Sequence, residues 1–455
     1  MKFKTINPAT EEVIGEYETM TNKQIKNILA SCHSAFNNWK KTAVKHRADQ
    51  MKSLANILRR DTEQLAKLAT LEMGKTIKSA RAEVEKCAWC AEIYAEQGAQ
   101  WLAEEPVKAD GKKNIIVFEP LGVVLAVMPW NFPFWQIFRC AIPTLVAGNG
   151  MLLRHSNQVP QCAMAIEKIF CDAGFGDLFR TIITDHDAIA QLLAEDAIVG
   201  VSLTGSTEAG SKVAAIAGQN LKKVVLELGG SDPFIVLDDA NIEIAVKNAV
   251  TGRTLNNGQS CIAAKRFIVH EKIAESFSKK FTEAMKSLVV GDPMDEKTDV
   301  GPLVNAQALK KVEEQMKEAV KKGATIATGG KRTGKKGYFF MPTVLNVAKD
   351  SLVMHDEVFA PCAAVHVIKN DDEAIAVANN IQFGLGGSVW TKNLERGEKI
   401  ARKIDAGAVF VNSIVKSDPR MPFGGIKKSG IGRELGTFGL REFVNVKTIN
   451  IYELK

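Results

Sequence analysis

A chain of 455 residues is too long for one hydrophobic core and implies about two or three domains. Its 46% apolar and 24% charged residues are ordinary for a globular protein, and no apolar run approaches the roughly 20 residues a membrane helix needs. The net charge of +7 is spread along the chain, which argues against nucleic acid as a partner.

Met1-Lys2-Phe3-Lys4 leads into polar residues without the apolar stretch of a secretory signal, so the cytoplasm is the expected compartment. Eight cysteines scattered from Cys32 to Cys362 suit reduced thiols better than a disulfide framework. From Asn22 to about Trp101, successive amphipathic helices are expected, with Leu54, Ile57, Leu58, Leu65 and Leu68 at helical spacing. Cys87 and Cys90 fall inside this pattern, far from any strand-to-helix redox turn, and read as helix residues.

Between Asn114 and Met128, the runs Ile115–Phe118 and Val123–Val127 read as strands separated by Pro120 and Gly122. Strands and helices then alternate. Gly150–Arg154 precedes a helix over Gln161–Ala173, and Ile198–Leu203 precedes one over Ala209–Ala217, the pattern of a parallel sheet wrapped by helices. A second α/β set is expected from Val224 onward, through Phe234–Leu237, Phe267–Val269 and Val409–Val411, with the boundary near Leu228–Gly230. Lys331-Arg332 and Lys335-Lys336, set among glycines, read as a solvated turn.

Four stretches carry chemistry. Thr204 is followed by Gly205-Ser206 and a helical run, which suits either an anion at a helix N-terminus or a simple capped helix start. Cys261, in Asn257-Gly258-Gln259-Ser260-Cys261, could present a nucleophilic thiol, although a free cysteine seen alone is more often a small buried residue. Glu227 sits among apolar residues before Gly229-Gly230, where desolvation would raise its pKa toward that of a general base; a solvent-facing strand residue is the plainer reading. Asn131, in Pro129-Trp130-Asn131-Phe132-Pro133, offers either a fixed amide donor or a turn former.

Together these stretches resemble the aldehyde dehydrogenase superfamily and, within it, the succinate-semialdehyde dehydrogenases. The motifs, in order, are MPWNFP (128–133), LTGS (203–206), LELGG (226–230), GQSC (258–261), DEVFAP (356–361) and PFGGIKKSGIGRELG (422–436). The resemblance implies an α/β fold with a Rossmann-type dinucleotide-binding domain over 1–101 and 121–229 and a catalytic domain over 230–430. Strands at 102–120 and 444–453 would join copies into a homodimer or homotetramer. It further implies that Cys261 attacks the aldehyde carbon, Asn131 and the Cys261 amide hold the oxyanion, and Glu227 activates the water that hydrolyses the thioester.

By the same resemblance, NADP or NAD would be held by Trp130, Arg154, Ser156, Asn157, Gly205, Ser206, Leu228, Glu357 and Phe359. No metal is expected. Arg154 and Asn157 replace the lysine and glutamate common at the adenosine ribose, and loss of the acid removes repulsion against a 2′-phosphate. For the substrate, Arg139 stands where other members often have an aromatic residue. It lies eight residues after Asn131, on a helix expected to begin near Phe132, and an unpaired arginine there would call for a substrate carboxylate. Phe132, Trp135 and Ser417 would complete the pocket; an internal salt bridge is the alternative for Arg139. A second arginine of some relatives is Leu255 here, with Arg253 out of register, and Ala263 replaces a possible disulfide partner of the nucleophile.

A general aliphatic aldehyde dehydrogenase is the alternative within the family, and two readings outside that activity compete. A thiol hydrolase or acyltransferase would need a histidine beside Cys261, and the nearest in sequence is His270. A catalytically inactive dinucleotide-binding protein would be expected to have gaps among Asn131, Glu227, Cys261 and Glu357, and all four are present.

Overall fold

Four helices build the N-terminal scaffold of this computed structural model, which describes residues 2–454. They are α1 (Asn22–Trp39), α2 (Val44–Arg60), α3 (Thr62–Met73) and α4 (Ile77–Trp101). A reciprocal cap between Thr21 and Gln24 starts α1. Leu54, Leu58 and Leu65 are buried as their spacing predicts, while Ile57 and Leu68 pack at the edge of the same core. Cys87 and Cys90 are fully buried on α4. Gly74, at φ 80°, ends α3 in the left-handed region, and its carbonyl accepts a hydrogen bond from Asn257 at 2.8 Å. The scaffold thereby holds the loop that carries Cys261.

A six-stranded sheet runs Gly430–Ile431, Lys223–Glu227, Ile198–Thr204, Val123–Met128, Gly150–His155 and Phe179–Ile182. Its pairings are parallel except at the Gly430–Ile431 edge. Val123–Met128 and Gly150–His155 are buried throughout, as strands covered by helices on both faces must be. The connecting helices are α5 (Trp135–Val146), α6 (Pro160–Asp172), α7 (Asp187–Ala194) and α8 (Thr207–Gln219).

The strand containing Val224 corrects one expectation. Lys223–Glu227 pairs with Ile198–Thr204 and so belongs to the first sheet, its continuous apolar run Val224–Leu226 suiting a strand with both faces covered. The second sheet begins at Asp232. It has seven strands, in the order Thr325–Thr328, Thr343–Asn346, Cys362–Ile368, Ala264–His270, Asp232–Val236, Gly386–Trp390 and Ala408–Val411, all parallel except the first.

Val444–Ile451 pairs antiparallel with Lys113–Pro120, which pairs in turn with Glu105–Pro106. The C-terminal strand is an edge of this small sheet, and its Val446 and Ile451 are exposed. In the first sheet the carboxyl ends of the strands release the loops beginning at Pro129, Gly205 and Leu228. The loops at 228–231 and 259–263 lead into Asp232 and Ala264 of the second sheet. The crevice at the carboxyl ends of an open parallel sheet is where such folds place ligands.

Candidate active site

Helix α9 (Ile242–Thr254) ends in a turn in which Asn256, Asn257 and Gly258 have φ of 55°, 58° and 76°. Asparagine tolerates this left-handed region better than other side chains, and here both amides are also pinned. Asn256 donates to the Asn131 carbonyl at 2.6 Å, while Asn257 donates to Gly74 and accepts from the Gly301 amide at 2.9 Å. A side chain at Gly258 would meet the Ala360–Pro361 peptide at 2.4 Å, so only glycine fits. Downstream, Lys265 donates to the carbonyls of Ser260 and Cys261, each at 2.8 Å. Arg253 is fully buried and donates to the carbonyls of Gly258 and Ala264, which makes it a brace for this loop. The thiol of Cys261 is therefore presented by a turn held on every side.

Cys261 opens on a cavity of about 470 Å³, and Trp130, Asn131, Gly205, Ser206, Leu228, Glu357 and Phe359 share its wall. Asn131 is buried, with Oδ1 accepting from Gln136 at 2.9 Å and Nδ2 donating to the Gln259 carbonyl at 3.1 Å. An amide nitrogen has two protons, so one stays available toward the cavity. Sequence reasoning missed Gln136, whose bond fixes which way the Asn131 amide faces. Burial pushes the Cys261 thiol up to about 12, opposed by Arg139 and Lys265 and reinforced by Glu227 and Glu357. The resting nucleophile is thus a neutral thiol and requires a base.

Glu227 ends its strand at 1% exposure, and neither carboxylate oxygen has a hydrogen-bond partner. Burial raises it well above the ordinary carboxylate range; Arg139 opposes the shift and Glu434 adds to it. An unpaired buried acid of this kind holds a proton more tightly than an exposed carboxylate does, which suits a group that accepts one during the reaction. It stands beside Gly424 and lies off the wall of the Cys261 cavity.

On the cofactor side, Trp130 and Phe359 meet edge to face at 5.9 Å. Ser206 caps α8 by accepting from the Ala209 amide at 3.2 Å, and Gly205 donates to the Glu227 carbonyl at 2.9 Å. The first-turn amides of α8 have no intrahelical acceptor and face an anion-favouring dipole end. Glu357 accepts from the Gly230 amide at 3.1 Å and faces Lys265 at 3.4 Å. Arg154, Ser156 and Asn157 are off this wall, at the end of the neighbouring strand and just beyond it. Arg154 is buried, and its Nε has no hydrogen-bond partner. Aromatic walls, a helix N-terminus and a buried arginine whose Nε is unpartnered together fit a phosphorylated dinucleotide.

The substrate residues require corrections. Helix α5 begins at Trp135, not near Phe132, because the Glu83 carboxylate takes the amides of Phe134 and Trp135, each at 2.8 Å, as a cap. Asn131 therefore precedes the helix, and the eight-residue spacing to Arg139 is not two helical turns. Arg139 is not an unpaired cation. It is 3% exposed, forms an ion pair with Glu434 at 2.5 Å and donates to Thr204 at 3.0 Å. Its counter-ion is internal, so the argument that it must await a substrate anion fails. The opposite charge was visible in the GRELG motif, although nothing local joined it to Arg139.

Phe132 lies under the Lys75 ammonium at 4.3 Å, and Lys75 pairs with Glu83. Trp135 donates to Ser417 at 3.0 Å, so these two expected residues do meet, off the wall of the Cys261 cavity but next to Gln136, which is on it. A residue not anticipated joins them: Lys86 of α4 donates to Ser417 at 2.8 Å and lies over the Trp135 ring. His270 caps α10 (Glu271–Lys286), accepting from Lys272 at 3.3 Å at the far end of the strand after Cys261. It is unsuited to serve as that thiol's base.

Residues 1–449 match the aldehyde dehydrogenase family. The chain is 46% identical over 451 residues to a probable succinate-semialdehyde dehydrogenase [NADP(+)] of Synechocystis sp., with 99% of each chain covered. It is 46% identical over 454 residues to the succinate-semialdehyde dehydrogenase [NADP(+)] of Mycobacterium leprae, again over 99% of each. Among solved structures, succinic semialdehyde dehydrogenase from Streptococcus pyogenes, in complex with NADP+, superposes with a TM-score of 0.97 at 38% identity, covering 99% of this chain and 100% of that one. With its fold and sequence matched from end to end, the chain belongs to the aldehyde dehydrogenase family.

Proposed function

We propose that the chain oxidises succinate semialdehyde to succinate with NADP, NAD being the alternative acceptor. The observation that carries this reading is a rigidly presented Cys261 sharing one cavity with the Asn131 amide, in a chain matching relatives named for that activity over their full length. Because the thiol is neutral at rest, its proton leaves as sulfur bonds to the aldehyde carbon, and Glu227 is the acceptor, through water. The carbonyl electron pair moves onto oxygen, where the free Asn131 N–H and the Cys261 amide receive it. When bound, the dinucleotide supplies the hydride acceptor that allows the adduct to become a thioester. Glu227 passes the thiol's proton to solvent and then takes one from the water whose oxygen attacks the acyl carbon; the C–S bond breaks, and Glu227 returns that proton to the sulfur.

Trp130, Leu228 and Phe359 would flank the nicotinamide, Glu357 its ribose, and Gly205 and Ser206 the pyrophosphate. Arg154, Ser156 and Asn157 would take the adenosine end, where the unsatisfied guanidinium and the absence of an acid at Asn157 favour a 2′-phosphate. In this reading residues 1–101 and 121–229 form the cofactor domain and 230–430 the catalytic domain. The exposed edge of Val444–Ile451, with 102–120, joins copies into a dimer or tetramer. Among the described residues no helix is long and apolar enough to cross a membrane, and we assign the enzyme to the cytoplasm.

Purified protein mixed with succinate semialdehyde and NADP should produce the absorbance of reduced nicotinamide, and Cys261→Ala should abolish it. No reduction with any aldehyde and either dinucleotide would overturn the assignment.

A further inference from the structure

Lys86 is a half-buried cation that pairs with no acid among the described residues and, unlike buried Arg253 and Arg266, is not held by backbone carbonyls either. It projects from α4 into the junction between Trp135 and Ser417, with Nζ 2.8 Å from the Ser417 hydroxyl and 4.3 Å from the centre of the Trp135 ring. The nearby acids are committed elsewhere. Glu83, on the same helix, caps α5 through one oxygen and pairs with Lys75 through the other. Asp418, next to Ser417, is held by Arg420 at both oxygens, at 2.9 and 2.6 Å. Glu434 is taken by Arg139. The remaining titratable neighbours on α4, Cys87 and Cys90, are buried thiols pushed upward and carry no charge.

The donor count points the same way. Ser417 Oγ accepts from Lys86 and from Trp135 Nε1, which occupies both lone pairs, so its own proton can only be donated outward. An ammonium and a hydroxyl proton thus converge with no acid or other acceptor for them among the described residues beyond the Ser417 oxygen itself. A half-buried ammonium is costly without an anion, and two convergent donors match the two oxygens of a carboxylate. The cluster sits just behind the wall of the Cys261 cavity: Trp135 precedes Gln136, which lines that cavity, and Arg139, one turn along α5, donates to Thr204 of the same wall at 3.0 Å. Burial and the Arg139 charge hold Lys86 down at about 8, as expected of a cation lacking its partner.

We propose that Lys86, together with the Ser417 hydroxyl, binds the carboxylate at the far end of the aldehyde substrate and so sets the enzyme's preference for ω-carboxylate aldehydes. The assignment rests on the proposed activity and adds to it the residue that recognises the acid. It also explains how the chain can bind an acidic aldehyde although Arg139 is already paired.

The test compares wild type, Lys86→Met and Lys86→Arg on succinate semialdehyde and on butanal, an uncharged aldehyde of equal carbon count, at saturating NADP. Lys86→Met should raise KM for succinate semialdehyde about 10- to 100-fold, the worth of one charge-assisted hydrogen bond, with kcat and both butanal constants changed less than about threefold. Lys86→Arg should recover most of the loss. Equal changes on both aldehydes, or no change on either, would overturn the role of Lys86 while leaving the activity standing. Wild type that oxidises butanal but not succinate semialdehyde would overturn the proposed substrate itself. Should Lys86→Met fail to fold, Lys86→Gln takes its place: a KM rise confined to succinate semialdehyde supports the proposal, and an equal change on both aldehydes, or none, refutes it.

Discussion

Two cations meet at the start of α5, Arg139 from within the helix and Lys86 over its Trp135 ring, and they differ in one respect. Arg139 has its anion built in, with Glu434 at 2.5 Å and Thr204 taking a further N–H. Lys86 has a hydroxyl and an aromatic face but no acid. The first is a closed unit that shapes the field around Glu227; the second leaves a charge unanswered until a ligand arrives. The difference teaches that a buried charge near an active site indicates a ligand only after its partners within the chain have been counted.

The sharpest way to break this comparison is Arg139→Met. Stranding Glu434 as an unpaired buried acid should cost about 3–5 kcal/mol of stability, seen as a lower Tm, and should reduce kcat/KM alike for succinate semialdehyde and butanal. Adding Glu434→Leu should restore much of the stability, since an apolar pair can replace a buried ion pair. A loss confined to succinate semialdehyde, in a fully stable variant, would reverse the roles given to Arg139 and Lys86. Asn131→Ala separates chemistry from recognition. Removing the oxyanion donor should lower kcat about 10²- to 10³-fold on both aldehydes and leave their ratio unchanged. A changed ratio would make Asn131 a recognition residue.

What the sequence made legible follows the range of each interaction. Cys261 and Asn131 sit in turns whose signals are local: Asn256-Asn257-Gly258 takes three left-handed conformations in a row, and Pro129 and Pro133 bracket Trp130-Asn131-Phe132. The alternation of strands and helices over 150–219 was legible for the same reason, because hydrophobic period is a local property. Three features depended on distant partners. Lys223–Glu227 reads as a strand from its own residues, yet its sheet is decided by pairing with Ile198–Thr204. Arg139 gave no sign of Glu434. Lys86 meets Ser417 across 331 residues, and on an amphipathic helix a lysine reads as solvated surface.

Ser417→Ala sharpens the comparison with a smaller effect. Deleting one hydroxyl donor should raise KM for succinate semialdehyde about tenfold without moving butanal, since a single hydrogen bond is at stake. An equal shift for both aldehydes would place Ser417 in the general packing around Trp135.

The smallest effect expected near neutrality is a pH dependence, and its sign follows from Lys86. With its pKa lowered from 10.5 to about 8, the ammonium is present below that pH and lost above it. A bound carboxylate favours the protonated form, so KM for succinate semialdehyde should be flat below about pH 8 and then climb toward tenfold per unit as protonated enzyme becomes scarce. Arg139 stays charged throughout this range, because the penalty of burial is outweighed by Glu434 and Glu227 acting together with the neighbouring thiols. Glu227 and Cys261 titrate for every aldehyde, so their contribution appears equally with butanal and cancels in the ratio of the two KM values. In Lys86→Arg the guanidinium keeps its charge, and the rise in that ratio should vanish. A ratio that rises identically in wild type and Lys86→Arg would locate the titrating group elsewhere and leave Lys86 no different in kind from Arg139.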